Sequence, residues 1–359
     1  MMRKIKVLIV DDSVSVQNTL AEILSQDDEI EIIGTASDPY QAVSRIAENL
    51  PDVITLDIEM PRMDGITFLG KLMKQHPIPV VVISSVAVEG SEKGMQALKL
   101  GAHEIITKPR LSIQENMEEY SVRITDAIKA AAISKRIQFR FGRQNDRDDC
   151  SVNSLDRSVS SIQTTKLNSE KIILIGASTG GTELISLILK NLRTDLPGIL
   201  IVQHMPGEFT KAFANRLNNE SRLNVKEAEQ GDVIQRGFVY IANGYNHLQL
   251  IRENGLFKCK LEMNTLVNRH RPSVDVLFHS ATKYPGKDIT AILLTGMGSD
   301  GAKGMLELCK AGAMTFAQNE QSSVIFGMPK EAIKLNAAKM TGTPEELIYW
   351  LNNAFLKNE

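Results

Sequence analysis

Only three cysteines, Cys150, Cys259 and Cys309, occur in 359 residues. They are odd in number and sit in no paired motif, which excludes a disulfide framework and predicts free thiols in a reducing compartment. Charge of one sign is also missing: 41 basic residues face 43 acidic ones, a net charge of −2. Without a basic footprint, nucleic acid and anionic membrane are not expected partners. No apolar run approaches the roughly 20 residues of a membrane helix, and the run Val7–Val10 meets Asp11 and Asp12 too early for a signal peptide. A cytoplasmic protein with no membrane insertion is therefore expected. What remains is 43% hydrophobic residues, of which few are aromatic, in a chain long enough for two domains with separate cores.

The stretch Ile172–Gly181, I-I-L-I-G-A-S-T-G-G, has the most pronounced local grammar. An apolar run reads as a buried parallel strand, and the glycines after it allow a sharp turn into the periodic segment Leu184–Leu192. Ser178 falls on that turn, in the G-x-S-x-G spacing that exposes a serine nucleophile at the carboxyl edge of a sheet. A glycine-rich turn without chemistry fits the same ten residues.

The first 125 or so residues alternate strand and helix signals. Val7–Val10, Ile30–Gly34, Val53–Leu56, Val80–Ile83 and Glu104–Ile106 read as five short strands with helical periodicity between them. A five-stranded parallel sheet would gather Asp11, Asp12, Asp57, Ser84 and Lys108 at one carboxyl edge. Three crowded carboxylates favour a hard divalent cation such as Mg²⁺. Asp57 is then placed to be phosphorylated as a nucleophile, with Ser84 and Lys108 supporting the phosphoryl oxygens. With D-I-E-M-P-x-M-D-G (Asp57–Gly65), S-S (Ser84, Ser85) and T-K-P (Thr107–Pro109), this region resembles the response-regulator receiver domain, a flavodoxin-like fold. The resemblance implies phosphorylation of Asp57 by a histidine kinase, with Mg²⁺ on Asp12, Asp57 and the Glu59 carbonyl, and Asp11 completing the acidic pocket.

A helical pattern over about Leu111–Ile137 gives way to Gln138–Ser169, polar and without sustained periodicity, which reads as a linker. Three units are expected: 3–122, an interdomain helix and linker over 123–168, and a second α/β domain over 169–359. In the last, Ile172–Ile175, Ile199–Val202, Phe238–Ala242, Leu248–Ile251, Phe257–Met263, Ile289–Leu294 and Met314–Ala317 read as strands, and Asn254-Gly255 marks a hairpin. A three-layer αβα domain, doubly wound with a mixed sheet, is predicted.

Two further strands of this unit end on reactive residues. His204 follows G-I-L-I-V-Q, and Asp300 lies on the glycine-rich turn T-G-M-G-S-D-G. Ser178, His204 and Asp300 would meet at one edge, where a base activates the hydroxyl and a carboxylate fixes the imidazole tautomer. Among the other histidines, His76 and His103 belong to the first domain, His247 opens a strand, His270 lies in N-R-H-R-P, and His279 falls in a helix pattern. Gly296–Gly301 also spells G-x-G-x-x-G with Glu320 downstream, the layout of a dinucleotide site, although Asp300 would there oppose a pyrophosphate.

G-A-S-T-G-G, Q-H-M, R-P-S-V-D-V-L-F (Arg271–Phe278), L-T-G-M-G-x-D-G and F-G-M-P-x-x-A (Phe326–Ala332) together resemble the catalytic domain of chemotaxis protein-glutamate methylesterases, and the order receiver, linker, catalytic domain is similar too. The resemblance implies hydrolysis of glutamyl methyl esters and deamidation of glutamines on the cytoplasmic helices of chemoreceptors. Ser178 would be the nucleophile, His204 the base and Asp300 its orienter. The Met297 N–H would help hold the oxyanion, with Thr179 beside the nucleophile. No cofactor is implied for the ester hydrolysis. In the resting state the receiver would pack against the catalytic edge and obstruct it.

Overall fold

The computed structural model describes residues 4–84, 88–108, 120–121, 123–132 and 171–355, with the backbone alone at 84 and 88–92. The linker expected over 138–169 and the flanks of the helix expected over 111–137 lie outside the described residues, as does Cys150.

The N-terminal sheet consists of β1 (Ile5–Val10), β2 (Ile30–Ala36), β3 (Val53–Asp57), β4 (Val80–Ser84) and β5 (Glu104–Thr107), all parallel in the order β2-β1-β3-β4-β5. That order makes β1 and β3 neighbours at the topological switch point, where a doubly wound sheet opens its crevice. Helices α1 (Val14–Ser25), α2 (Pro39–Glu48), α3 (Gly65–Gln75) and α4 (Val88–Lys99) separate the strands. Aspartates start two of them: Asp38 accepts from the Tyr40 and Gln41 amides and Asp64 from the Thr67 amide, supplying partners for amides that lack one at a helix N-terminus.

Residues 120–121 and 123–132 form helix α5. Ile124, Ala127, Ile128 and Ala131 are buried with Val7, Ile9 and Val53. Helix α5 therefore covers a face of the N-terminal sheet that would otherwise be bare.

The C-terminal sheet has seven strands: β6 (Ile172–Ala177), β7 (Gly198–Gln203), β8 (Asn224–Glu227), β9 (Phe238–Ile241), β12 (Ile289–Leu293), β13 (Met314–Gln318) and β14 (Met340–Gly342), in the order β14-β13-β12-β6-β7-β9-β8. Every pairing within it is parallel. The antiparallel pair expected within it is instead a separate ribbon of β10 (His247–Glu253) and β11 (Leu256–Glu262). The ribbon packs its buried Leu248, Leu250 and Cys259 against the helix-covered face of the sheet, with Asn254 and Gly255 at positive φ in its turn. Sequence reading missed β8 and β14 because both are short edge strands, where only Val225 and Gly342 are buried.

Helices α6 (Gly181–Asn191), α7 (Gly207–Glu220), α8 (Val274–Ala281), α9 (Ala302–Lys310), α10 (Met328–Lys334) and α11 (Pro344–Ala354) cover both faces. The central strands β6, β7 and β12 are buried at every position, as their continuous apolar runs predict. None of the described helices is long and apolar enough to cross a membrane.

The two domains share a core. Met95 and Leu98 of α4 are buried in one cluster with Phe209 and Phe213 of α7. A Cβ on Gly94 would lie 2.5 Å from the Phe209 ring, so only a residue without a side chain lets the helices approach this closely.

Candidate functional sites

At the first site, β1 delivers Asp11, β3 delivers Asp57, and Lys108 follows β5. The Lys108 ammonium lies 2.6 Å from Asp57 Oδ2 and 2.9 Å from Asp11 Oδ2. Asp11, Asp12 and Asp57 each present an oxygen within 4.8 Å of the others, a hard donor set of the size a divalent cation needs. Asp11 and Asp57 are 1% exposed, whereas Asp12 faces solvent. Burial pushes Asp57 up to about 6, against the opposing pull of Lys108, and the Asp11 charge adds to the rise. The Glu59 amide donates to Asp57 Oδ1 at 3.3 Å, which holds the turn after β3 close to the carboxylate. Ser84 is the last residue of β4, one position beyond Ile83, which pairs with Asp57.

At the second site, three strand ends converge. β6 runs directly into Ser178, whose amide donates to the Thr295 carbonyl after β12, while the His204 amide after β7 donates to the Ala177 carbonyl. Adjacent parallel strands thus lock the three segments together at the backbone. Gln203 reinforces the join by donating from Nε2 to the carbonyl of Ser178 at 2.8 Å. A Cβ on Gly296 would come within 2.7 Å of the Ser178 Cβ, so the turn carrying Asp300 closes onto the serine only because that residue is glycine.

Asp300 is 1% exposed and receives five donors. Oδ2 accepts from His204 Nε2 at 2.9 Å and the Val274 amide at 2.7 Å. Oδ1 accepts from Ser273 Oγ and Asn268 Nδ2, both at 2.7 Å, and from the Asp275 amide at 3.2 Å. Burial opposes the charge, but the bonded His204 together with Asn268 and Ser273 holds the carboxyl well below the usual carboxylate range. The carboxylate sits within the Gly296–Gly301 loop that a dinucleotide site would need for a pyrophosphate, so that layout does not form an anion cradle.

Since a carboxylate only accepts, His204 carries its proton on Nε2. Its Nδ1 is buried and has no hydrogen-bond partner among the described residues. It is the nitrogen left to take a proton. Ser178 is 8% and His204 7% exposed, and both line one cleft with Thr179. The Thr295 hydroxyl donates to the Thr179 carbonyl at 3.0 Å, fixing the residue after the serine. Met297 lies half-buried on the loop that ends at Asp300.

Sequence reasoning missed His270, Asn268 and Ser273. The His270 ring stacks on His204 with centroids 3.8 Å apart and planes 8° apart, and its Nδ1–H donates to the Asn268 carbonyl. Burial and the neighbouring His204 push His270 down to about 3, so it stays neutral against the second imidazole. Its position immediately before the Arg271–Phe278 motif was the available signal. His247 is structural: Nε2–H donates to the Thr265 carbonyl and Nδ1 accepts from the Ser273 amide. Cys259 is a buried free thiol, pushed up to about 12 by burial, and Cys309 is also free.

Residues 173–351 match the CheB methylesterase family, and residues 7–119 match the response regulator receiver domain. A protein-glutamate methylesterase/protein-glutamine glutaminase from Oleidesulfovibrio alaskensis is 50% identical over 340 residues, 93% of this chain and 94% of that one. This chain belongs to that family. A Geobacter metallireducens member is 50% identical over 341 residues, 94% of this chain and 95% of its own. The crystal structure of the Thermotoga maritima CheB methylesterase catalytic domain aligns with a TM-score of 0.50 at 39% identity, covering 51% of this chain and 98% of that one.

Proposed function

We propose that the chain is a receiver-controlled serine hydrolase that demethylates glutamyl methyl esters, and deamidates glutamines, on the cytoplasmic helices of chemoreceptors. The observation that carries this reading is the buried His204–Asp300 pair with an unpartnered His204 Nδ1 in the cleft of Ser178.

In the mechanism, Ser178 Oγ attacks the γ-carbonyl while His204 Nδ1 takes its proton. Asp300 keeps the other ring proton on Nε2 and stabilises the imidazolium that forms. Collapse of the tetrahedral intermediate expels methanol, or ammonia from a glutamine, with His204 returning the proton. Water then releases the glutamate by the same steps in reverse. Backbone donors beside the serine, the Met297 amide among them, would hold the oxyanion, each well-placed donor supplying roughly 3 to 4 kcal/mol of transition-state stabilisation. Thr179 borders the same carbonyl position. Ser178 and His204 make no hydrogen bond to each other in this state, so productive alignment belongs to the substrate complex.

In the receiver, Asp11, Asp12, Asp57 and the Glu59 carbonyl would hold Mg²⁺, which neutralises the developing charge of the transferring phosphoryl group. Asp57 is the acceptor, a histidine kinase the donor, and Lys108 and Ser84 hold the phosphoryl oxygens. Catalytic function is assigned to 169–359 and phosphorylation control to the N-terminal domain, connected by the segment after residue 132. Cytoplasmic placement follows from these partners.

The test is methanol release from methylated chemoreceptor fragments by the intact protein, with and without a small-molecule phosphodonor and Mg²⁺. Release should rise with phosphodonor and vanish in Ser178→Ala. Undiminished release from Ser178→Ala would refute the serine mechanism.

A further inference from the structure

Glu104 is the first residue of β5, the strand that ends in Thr107 and is followed by Lys108. Its side chain leaves the receiver and enters the catalytic domain: the Thr179 hydroxyl donates to Glu104 Oε2 at 3.0 Å. Thr179 is the residue after the nucleophile, and Glu104 lines the same cleft as Ser178 and His204. Arg123 of α5 lends it positive potential and also lines the adjoining hollow with His204 and His270. A glutamate side chain of the first domain thus lies in the cleft that holds the candidate nucleophile and base.

We propose that Glu104 is a tethered product mimic, its carboxylate occupying the subsite that receives the glutamyl head group of the substrate, with the Thr179 hydroxyl as the anchor. This rests on the methylesterase reading of the site. It differs from obstruction by bulk, because a ligand in the subsite blocks even a substrate small enough to slip beneath the receiver.

Several features support it. Glu104 is half-buried, and its one hydrogen-bond donor among the described side chains, the Thr179 hydroxyl, lies across the domain boundary. Burial raises its carboxyl, opposed by Arg123 and by the Thr179 hydroxyl, and Thr179 belongs to the catalytic domain and would also meet a product carboxylate. The strand linking it to the phosphorylation site is short: β5 has four residues, about 10 to 14 Å. Lys108, bonded to Asp57 at one end, and Glu104, bonded to Thr179 at the other, are therefore held by one rigid element. Repositioning Lys108 onto a phosphoryl group would pull directly on the mimic.

The experiment uses the full-length, unphosphorylated protein and a small substrate, glutamate γ-methyl ester capped by acetyl and N-methylamide groups. A tethered ligand acts at a millimolar-scale effective concentration, so removing it should lower KM by about tenfold and leave kcat unchanged. Both Glu104→Ala and Glu104→Met should show this, Met filling the same volume without an acceptor. Inhibition by the capped glutamate product should strengthen by the same factor in both variants. Wild-type KM in Glu104→Met with a lowered KM only in Glu104→Ala would show obstruction by bulk and overturn the proposal. Wild-type KM in both variants would overturn it as well, with the esterase assignment intact. Turnover by none of the proteins, despite normal folding by thermal melting, would instead remove the esterase reading beneath it.

Discussion

Replacing Asp300 by Asn tests the site at its most constrained atom pair. Five donors converge on the two carboxylate oxygens: Val274 N–H and His204 Nε2–H on Oδ2, and Ser273, Asn268 and Asp275 on Oδ1. An amide offers one oxygen and two N–H groups, so one set of donors must face another donor. If the amide nitrogen takes the Oδ2 position, it pairs with His204 only when the ring moves its proton from Nε2 to Nδ1. That abolishes the base. If it takes the Oδ1 position, the Ser273 and Asn268 donors and the Asp275 amide are opposed, at about 1 to 3 kcal/mol for each buried group left unpaired. The first arrangement strands only the Val274 amide and is the cheaper one. We therefore expect kcat for methanol release to fall by about 10⁴, the effect of a wrong tautomer in a serine triad, or about 5.5 kcal/mol of barrier. Stability should fall by only about 2 kcal/mol in urea unfolding. The ¹⁵N chemical shifts of His204 should report the proton on Nδ1. A variant within tenfold of wild-type kcat would refute the assignment of Asp300 as the group that sets the histidine tautomer.

Three other outcomes follow from the same geometry. His270→Ala should lower kcat/KM for the methyl ester by up to about tenfold, and His270→Phe should restore part of it, because stacked rings contribute about 0.5 to 1.5 kcal/mol; equal losses in both variants would exclude stacking as the cause. Asp57 is raised to about 6, so its burial destabilises the fold where it is charged: the stability it contributes is present below about pH 4 and is lost as pH rises through 6. Without Mg²⁺, Asp57→Asn should then be more stable than wild type by about 3 kcal/mol at pH 8 in denaturant melts, with the gap closing toward pH 4; a gap independent of pH would contradict it. Gly94→Ala places a Cβ 2.5 Å from Phe209 and should loosen α4 from α7, raising methanol release without phosphodonor several-fold. Unchanged basal release would mean the interface yields elsewhere.

The sequence by itself determined the two α/β units, their strands of continuous apolar residues and the residues at the strand ends. In a parallel sheet a strand's end is a fixed place, and β1, β3 and β5 therefore had to bring Asp11, Asp57 and Lys108 together, as β6, β7 and β12 brought Ser178, His204 and the Asp300 loop. The motifs around those positions made the chemistry legible before any distance was known. What the linear pattern lacks is the information carried by weak edges and by faces. The polar, four-residue β8 and three-residue β14 pair only because a neighbour is already in place, and the hairpin β10–β11 stands apart because its apolar face packs onto α8 and a face of the sheet instead of pairing at the sheet's edge. α5 joins the receiver for the same reason, since its apolar stripe has value only against β1 and β3. Tertiary structure alone decided that His270 lies flat on His204, that Ser273 and Asn268 share the Asp300 carboxylate, and that Glu104 crosses between domains to Thr179. These contacts join residues dozens of positions apart through loops with no periodicity, so only the folded chain, in which each donor must find an acceptor on whichever segment the packing brings near, could reveal them.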